Sequence, residues 1–155
     1  MRRSCCFILT LFVCATALAG GFPTGKVIKV LPHLMDMQGR HSRSPSLYDR
    51  DAYQAELRKD LTKVSGVRFD VHWKAEAPAK ANTPAVLRVE MRGTAKSNLP
   101  SEMRLENFFT LSGGSHWSVL KLDGEQYKNF GEVTAWRVTL WAGDEMIGEQ
   151  KSFLW

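Results

Sequence analysis

The fold of this 155-residue chain is decided by the stretch Ala135-Trp136-Arg137-Val138-Thr139-Leu140-Trp141, then Ala142-Gly143-Asp144-Glu145, then Met146-Ile147-Gly148-Glu149-Gln150-Lys151-Ser152-Phe153-Leu154-Trp155. Two strand-like runs flank a tight turn at Gly143-Asp144, which predicts a β-hairpin. The stretch holds three of the five tryptophans. We expect Trp136 and Phe153 to be buried, with the last strand closing a hydrophobic core.

The register of this hairpin predicts a bulge. A two-residue turn places Leu140 opposite Ile147, both apolar, but then sets Val138 against the charged Glu149. One extra residue near Gly148 to Gln150 would shift the pairing, and Gly148 could host such a bulge.

Earlier segments alternate with the same period of two. Val67, Phe69, Val71 and Trp73 alternate with Arg68, Asp70, His72 and Lys74. Such alternation indicates antiparallel strands with one buried face, and it recurs at Leu87–Met91, Met103–Leu111 and Trp117–Leu122. The chain is therefore predicted to be mainly β, an antiparallel β-sandwich of about six or seven strands with one short N-terminal helix. A sheet with a helix packed on one face is the alternative.

The part of the chain before this sandwich predicts one strand and one helix. Lys26–Leu31 predicts a first strand, which Pro32 restricts to an edge or an end. The helix is expected from Leu47 to Asp60, with Ser46 as its N-cap and Tyr53, Leu57 and Leu61 as its apolar stripe. Residues 20–64 are predicted to form an arm that makes one domain with the sandwich of residues 65–155.

The first nineteen residues have the pattern of a secretory signal peptide. Met1-Arg2-Arg3 is basic, Phe7–Val13 is apolar and Ala17-Leu18-Ala19 is a small-x-small cleavage site. The apolar run is too short for a membrane span, which needs about 20 residues, so no transmembrane segment is expected after cleavage. We predict an exported protein, periplasmic or secreted. Acylation at Cys14 is the alternative, although Val13 precedes it where a lipobox has a small residue.

Removal of residues 1–19 also changes the cysteine content and the charge. Cys5, Cys6 and Cys14 all lie in this segment, so the mature chain has no disulfide and no thiol chemistry. Its 19 basic and 16 acidic residues give a net charge of +3, down from +5. The charges are mixed in sign without a basic cluster, which argues against nucleic-acid binding.

The order of elements resembles an immunoglobulin or fibronectin type III-like sandwich. The resemblance covers Ser65–Trp155 and is carried by the strand ending at Trp73, the Trp136–Leu140 strand and the last hairpin. It implies that Trp73 packs between the sheets. The chain departs from this pattern in having no disulfide pair and no clear tyrosine corner. Leu31–Tyr53 also resembles the start of small exported bacterial proteins of uncharacterised function, a resemblance that implies no particular activity.

Catalytic patterns are not found. There is no Gly-x-Ser-x-Gly, and adjacent Ser115 and His116 would point to opposite faces of a strand. The carboxylates Asp70, Glu90 and Glu106 are expected on outer faces in cross-strand ion pairs. His33, His41, His72 and His116 fall in four separate contexts, without the close spacing of a zinc site. We therefore predict no enzyme and no cofactor, with a scattered catalytic site as the remaining alternative.

Two binding hypotheses remain. In an extended strand, His33, Met35 and Met37 share one face and could bind copper, or they could simply fill the core. Trp141 points away from Trp136, Val138 and Leu140, and it lies near Met146 at the hairpin tip. This pair could recognise a partner, or a second layer such as the helix could cover it. The leading hypothesis is a non-enzymatic exported module that binds a protein or cell-envelope partner.

Overall fold

A computed structural model describes residues 23–76, 82–94 and 101–155, which form seven strands and two α-helices. The strands are β1 (Gly25–Asp36), β2 (Val64–Ala75), β3 (Pro84–Gly93), β4 (Ser101–Thr110), β5 (Gly114–Asp123), β6 (Val133–Ala142) and β7 (Glu145–Lys151). The helices are α1 (Leu47–Lys59) and α2 (Gly124–Phe130), and a 3-10 helix spans Leu61–Lys63. The predicted signal peptide, with Cys14, lies outside the described residues, as do parts of the two loops predicted before β3 and before β4.

The strands form two antiparallel sheets, with the orders β1-β2-β5 and β4-β3-β6-β7. This confirms the predicted antiparallel β-sandwich. No helix among the described residues is long and apolar enough to cross a membrane.

The core lies between the sheets and is filled by the apolar half of each alternating pattern. Fully buried residues come from both sheets: Phe69, Val71, Leu87, Val89, Leu122, Val138 and Leu140. Trp73 is 3% exposed and its Nε1 donates to Ser118 Oγ at 2.9 Å, so it packs in the core as expected. The hydrogen bond satisfies the indole N–H in this buried setting.

Strand β1 is an edge strand that continues past Pro32, and helix α1 covers its outer edge. The Gln54 amide donates to Leu34 O and His41 O, and its Oε1 accepts from Leu34 N–H at 2.8 Å. The side chain thereby takes the place of a neighbouring strand. Helix α1 begins after the predicted cap Ser46, whose side chain accepts from Asp49 N–H. Its predicted stripe is buried except for Leu61, which lies in the 3-10 helix and is 45% exposed.

Helix α2 was not predicted. Asp123-Gly124 ends β5 as expected, but seven residues of helix follow it before β6. Tyr127 and Phe130 from this helix are buried in the core. A pattern of only two apolar residues is too short to show helical periodicity, because two turns give few repeats.

The closing hairpin has the predicted two-residue turn and a bulge near the predicted place. Trp141 faces Met146 and Leu140 faces Gly148, so Ile147 is the extra residue, one position before the predicted range. A Cβ at Gly148 would lie 2.8 Å from the Cα of Lys26. The bulged part of β7 therefore lies directly against β1, and this contact joins the two sheets along one side.

The predicted burial of Phe153 is wrong, because β7 ends at Lys151 and the chain then turns away from the core. Phe153 is fully exposed. The turn is held by Ser152, whose N–H donates to Trp136 O and whose Oγ accepts from Trp136 N–H. Trp136 is half-buried against the core, with its ring edge-on to Phe69 at 6.4 Å.

Candidate partner-binding face

The outer face of the four-stranded sheet carries one apolar residue from each strand in a continuous line. Phe108 faces Val86, Val86 faces Trp141, and Trp141 faces Met146. We call these four residues the hydrophobic row. Directly opposed residues on one face of a sheet have Cβ atoms about 5 Å apart, so the four side chains are neighbours.

The hydrophobic row is accessible, and its tryptophan is held in place. Phe108 is 69% exposed and Met146 is 42% exposed, whereas Val86 and Trp141 are half-buried. The Trp141 Nε1 donates to Thr139 Oγ1 at 2.9 Å, and the Arg88 guanidinium carbon lies 5.2 Å from the ring centroid. Helix α1, the cover expected in the alternative, packs against β1 in the other sheet.

Sequence reasoning identified Trp141 and Met146, and the structure brings them together. It missed Phe108 and Val86, because the pairing of β4 with β3 and of β3 with β6 is not visible in the sequence. The only sequence signal for Phe108 was its place in the consecutive pair Phe108-Phe109. Two adjacent strand residues point to opposite faces, so one of the pair had to face outward.

Further from the Gly143-Asp144 turn than the hydrophobic row, the same face carries arginine–glutamate ion pairs. Charges pair across strands in Arg88–Glu106 at 2.8 Å, Arg137–Glu149 at 2.7 Å, Arg104–Glu90 at 3.4 Å and Arg92–Glu102 at 3.5 Å. The outward carboxylates Glu90 and Glu106 were predicted in such pairs. A charged pocket of about 410 Å³ lies at the far end of this face, where Trp155 packs on Arg92 at 4.3 Å. The face is thus apolar at the hairpin tip and polar elsewhere.

The predicted copper residues do not all share one face. His33 and Met35 are 7% and 1% exposed, but β1 ends at Asp36 and Met37 is 62% exposed in the turn that follows. Strand alternation therefore joins only His33 and Met35. Among the described residues, no group of three or more His, Cys, Asp or Glu side chains is arranged to hold a metal ion.

His33 instead contacts His41, so the expectation of four separate histidine contexts is wrong for this pair. Their ring centroids lie 5.3 Å apart, and Asp70 Oδ2 is 3.7 Å from His33 Nε2. Burial lowers the pKa of His33, although Asp70 acts in the opposite direction. Burial and the neighbouring Arg68 lower the pKa of His41. Loop 37–46 folds back to bring the two rings together, which sequence spacing does not reveal.

Asp36, the last residue of β1, anchors the same loop. Its buried carboxylate accepts from the Tyr53 hydroxyl at 2.6 Å, the Gln38 N–H and the Arg40 N–H at 2.9 Å each, and the Arg40 Nε. Burial alone would raise the pKa of Asp36, but these hydrogen bonds outweigh it and lower the pKa to about 2. The carboxylate is fully occupied by the protein, so its role is to hold loop and helix.

Two serine–histidine contacts occur near the start of β5, in pairings that sequence reasoning did not anticipate. His72 Nε2 lies 2.6 Å from Ser115 Oγ, and His116 Nε2 lies 3.3 Å from Ser112 Oγ. In the described residues, no carboxylate hydrogen-bonds to either imidazole. A serine nucleophile needs a base that is itself oriented, usually by such a carboxylate. Neither contact therefore forms the oriented serine–histidine pair that such catalysis needs.

The comparisons with known proteins support the fold alone. No protein-family model matches the chain, and no curated protein sequence matches it either. A crystal structure of a protein from Akkermansia muciniphila has a similar fold, with a TM-score of 0.56 and 9% sequence identity. The similarity covers 84% of this chain and 70% of that one.

Proposed function

We propose that this chain is a non-enzymatic exported β-sandwich module that binds a protein partner of the cell envelope through the hydrophobic row. The single observation that carries the proposal is the four-strand line of apolar side chains on an outer sheet face. Aromatic residues, methionine and arginine are enriched in protein interfaces, and the row with Arg88 supplies all three. The Arg–Glu pairs would form the polar rim. The export part rests on the signal pattern of residues 1–19.

The strand order supports a finer assignment, that the sandwich is of the immunoglobulin or fibronectin type III-like kind. Its first, second and fifth strands share one sheet, and its third, sixth and seventh are consecutive in the other. The A-B-E and C-F-G strands of such domains have this arrangement. In the constant-type domain the fourth strand lies beside the fifth. Here it lies beside the third.

Affinity capture from an envelope fraction tests the proposal. Phe108→Ser is the cleanest variant, because Phe108 is 69% exposed and contributes little to the core. We expect Phe108→Ser and Trp141→Ser each to weaken capture of a specific partner by about tenfold or more, as loss of a central aromatic anchor does.

The matched control is Tyr48→Ser, which removes an 82% exposed aromatic side chain from helix α1, which packs against the other sheet. Capture that survives this change but not the changes in the hydrophobic row supports the proposal. Equal capture by all variants, each shown by circular dichroism to be folded, would remove it.

Copper handling is the second candidate, and the contact between His33 and His41 is the observation in its favour. Imidazole and thioether are both copper ligands, and Met35 lies on the same strand face as His33. Titration with Cu(I) and Cu(II), with His33→Ala as the control, tests this candidate. Absence of tight binding by the unmodified protein would eliminate it.

A further inference from the structure

Within the described part of the chain, β5 is a long strand at the edge of its sheet. It pairs with β2 over ten residues, from Gly114 to Asp123, without a register shift. No strand among the described residues pairs with its other side. An edge strand presents a row of free N–H and C=O groups, and a regular, apolar one is a template for another strand.

The other edge strands are protected. Gln54 occupies the backbone groups of β1 at Leu34, and the strand also has Pro32 and a bulge near Ile28. Strand β7 is short and bulged, and it lies against β1. Strand β4 presents three outward charges that are paired with β3: Glu102, Arg104 and Glu106. These are the usual devices against edge pairing, and β5 has only Lys121 and the terminal Asp123.

The outward side chains of β5 are exposed and apolar at its centre. Trp117 is 56% exposed and Val119 is 44% exposed. The His72 ring, directly across in β2, stacks on Trp117 at 4.7 Å with an interplanar angle of 7°. Since the rings are parallel and His72 covers one face of the indole, the other face looks away from β2, past the free edge.

We infer that β5 pairs with β5 of a second copy of this chain, antiparallel about a two-fold axis at Val119, to form a continuous six-stranded sheet. In this register Val119 meets Val119, Trp117 meets Lys121 and Ser115 meets Asp123. The lysine ammonium then lies over the free indole face, a cation–π contact, and no like charges oppose each other. A single strand that complements itself in this way forms an isologous interface, the kind found in two-fold dimers.

Sedimentation of the purified protein tests the pairing. We expect a concentration-dependent dimer, and we expect Val119→Asp to raise its dissociation constant about tenfold or more, because two carboxylates would face each other on the axis. Phe108→Asp is the matched control: it places the same charge at an exposed apolar site on the other sheet and leaves the dimer intact. A protein that stays monomeric at millimolar concentration, or a dimer unaffected by Val119→Asp, overturns the inference.

Disulfide trapping tests the register of the β5–β5 pairing and does not depend on how stable the dimer is. In a full chain with Cys5, Cys6 and Cys14 changed to Ser, Val119→Cys provides a single thiol on the axis. Opposed residues in an antiparallel pair have a Cα separation of about 5 Å, which a disulfide spans. We expect Val119→Cys to form a covalent dimer under mild oxidation, and Lys59→Cys on helix α1 to remain monomeric. Equal crosslinking of the two variants, or none, overturns the inference.

Discussion

At the scale of single residues, Asp36 is the charge on which the N-terminal arm depends. It is 4% exposed, and it accepts hydrogen bonds from helix α1 and from the loop that connects β1 to that helix. Because a buried carboxylate is costly without partners, the ionised form is stabilised only while this arrangement is intact. The residue therefore links the fold of the arm to pH.

We expect Asp36→Asn to destabilise the protein at pH 7 and to remove part of its acid sensitivity. The folded-state pKa of Asp36, about 2, lies below the ordinary value of 3.8. Its stabilisation is therefore complete above about pH 4 and is lost as the pH falls towards 2, and it amounts to about 2 kcal/mol. Urea unfolding at pH 7 and pH 3 measures both effects. Asp51→Asn, at a side chain that is 74% exposed, is the control; a wild-type protein equally stable at both pH values would contradict this account.

The His33–His41 pair predicts a second pH dependence, at higher pH. The folded state holds the pKa of both imidazoles below the ordinary 6.5. Their neutral forms stabilise the fold above pH 6.5, and this stability declines as the pH falls below that value, because the unfolded chain binds more protons. Asp70 opposes the effect, whereas Arg50, Arg68 and, at His41, Lys121 add to it.

We expect His33→Gln to flatten the dependence of unfolding free energy on pH between 7 and 5. Glutamine keeps a polar side chain of similar reach but does not titrate. Chemical denaturation at several pH values in this window is the measurement, with His41→Gln as the companion variant. A slope that is unchanged in both variants would show that the pair does not control acid stability.

The alternation of apolar and polar residues predicts most strand faces, but it does not predict which side chains contact each other. The alternation through Val67–Trp73 and Leu87–Met91 assigned inner and outer faces correctly, because a half-buried sheet requires a period of two. The contacts of His33 with His41 and of Asp36 with Tyr53 depend on how a loop folds back. The apolar side chain of Phe153 predicts burial, but the turn at Ser152 directs it into solvent.

At the scale of elements, helix α1 functions as the cover of the β1 edge. Its Gln54 is 2% exposed and satisfies the N–H and C=O of Leu34 together with the C=O of His41. A helix of 13 residues is marginal alone, so its stability comes from this docking. Sequence periodicity located the helix through Tyr53 and Leu57, but it gave no reason to expect a buried glutamine.

We expect Gln54→Leu to destabilise the protein by about 1–3 kcal/mol, since it leaves buried backbone groups without partners. Gln54→Glu keeps the acceptor for Leu34 N–H but removes both hydrogen bonds that the amide donates. Comparing the two variants therefore separates the accepted hydrogen bond from the donated ones. Hydrogen exchange at Leu34 is the local readout: it should accelerate in Gln54→Leu more than in Gln54→Glu. Lys59→Ala, at an exposed position of the same helix, is the control. Unaltered exchange at Leu34 in all variants would exclude the edge-covering role.

At the scale of the whole molecule, the described part of the arm, from β1 to the 3-10 helix, and the described part of the sandwich share one core. Strand β1 pairs with β2 from Gly25–Ala75 to Asp36–Val64, and Val27 and Val30 are buried with the rest of the core. On its other side, β1 touches β7 at Lys26 and Gly148 so closely that a Cβ would not fit. Loss of β1 would therefore open the sandwich along one side.

We accordingly expect the arm and the sandwich to unfold in a single cooperative transition. Tryptophan fluorescence reports the sandwich, which holds all five tryptophans, and far-ultraviolet circular dichroism at the helical bands reports mainly the arm, because α1 has 13 residues and α2 in the sandwich has 7. Coincident urea midpoints for the two signals are the expected result, as in other single domains of this size. The variant Gly148→Ala should lower both urea midpoints together, because crowding of the Lys26 backbone reduces the free energy of unfolding by about 1–3 kcal/mol. If it lowered one midpoint and left the other in place, β1 would belong to a separate unit that only rests against the sandwich.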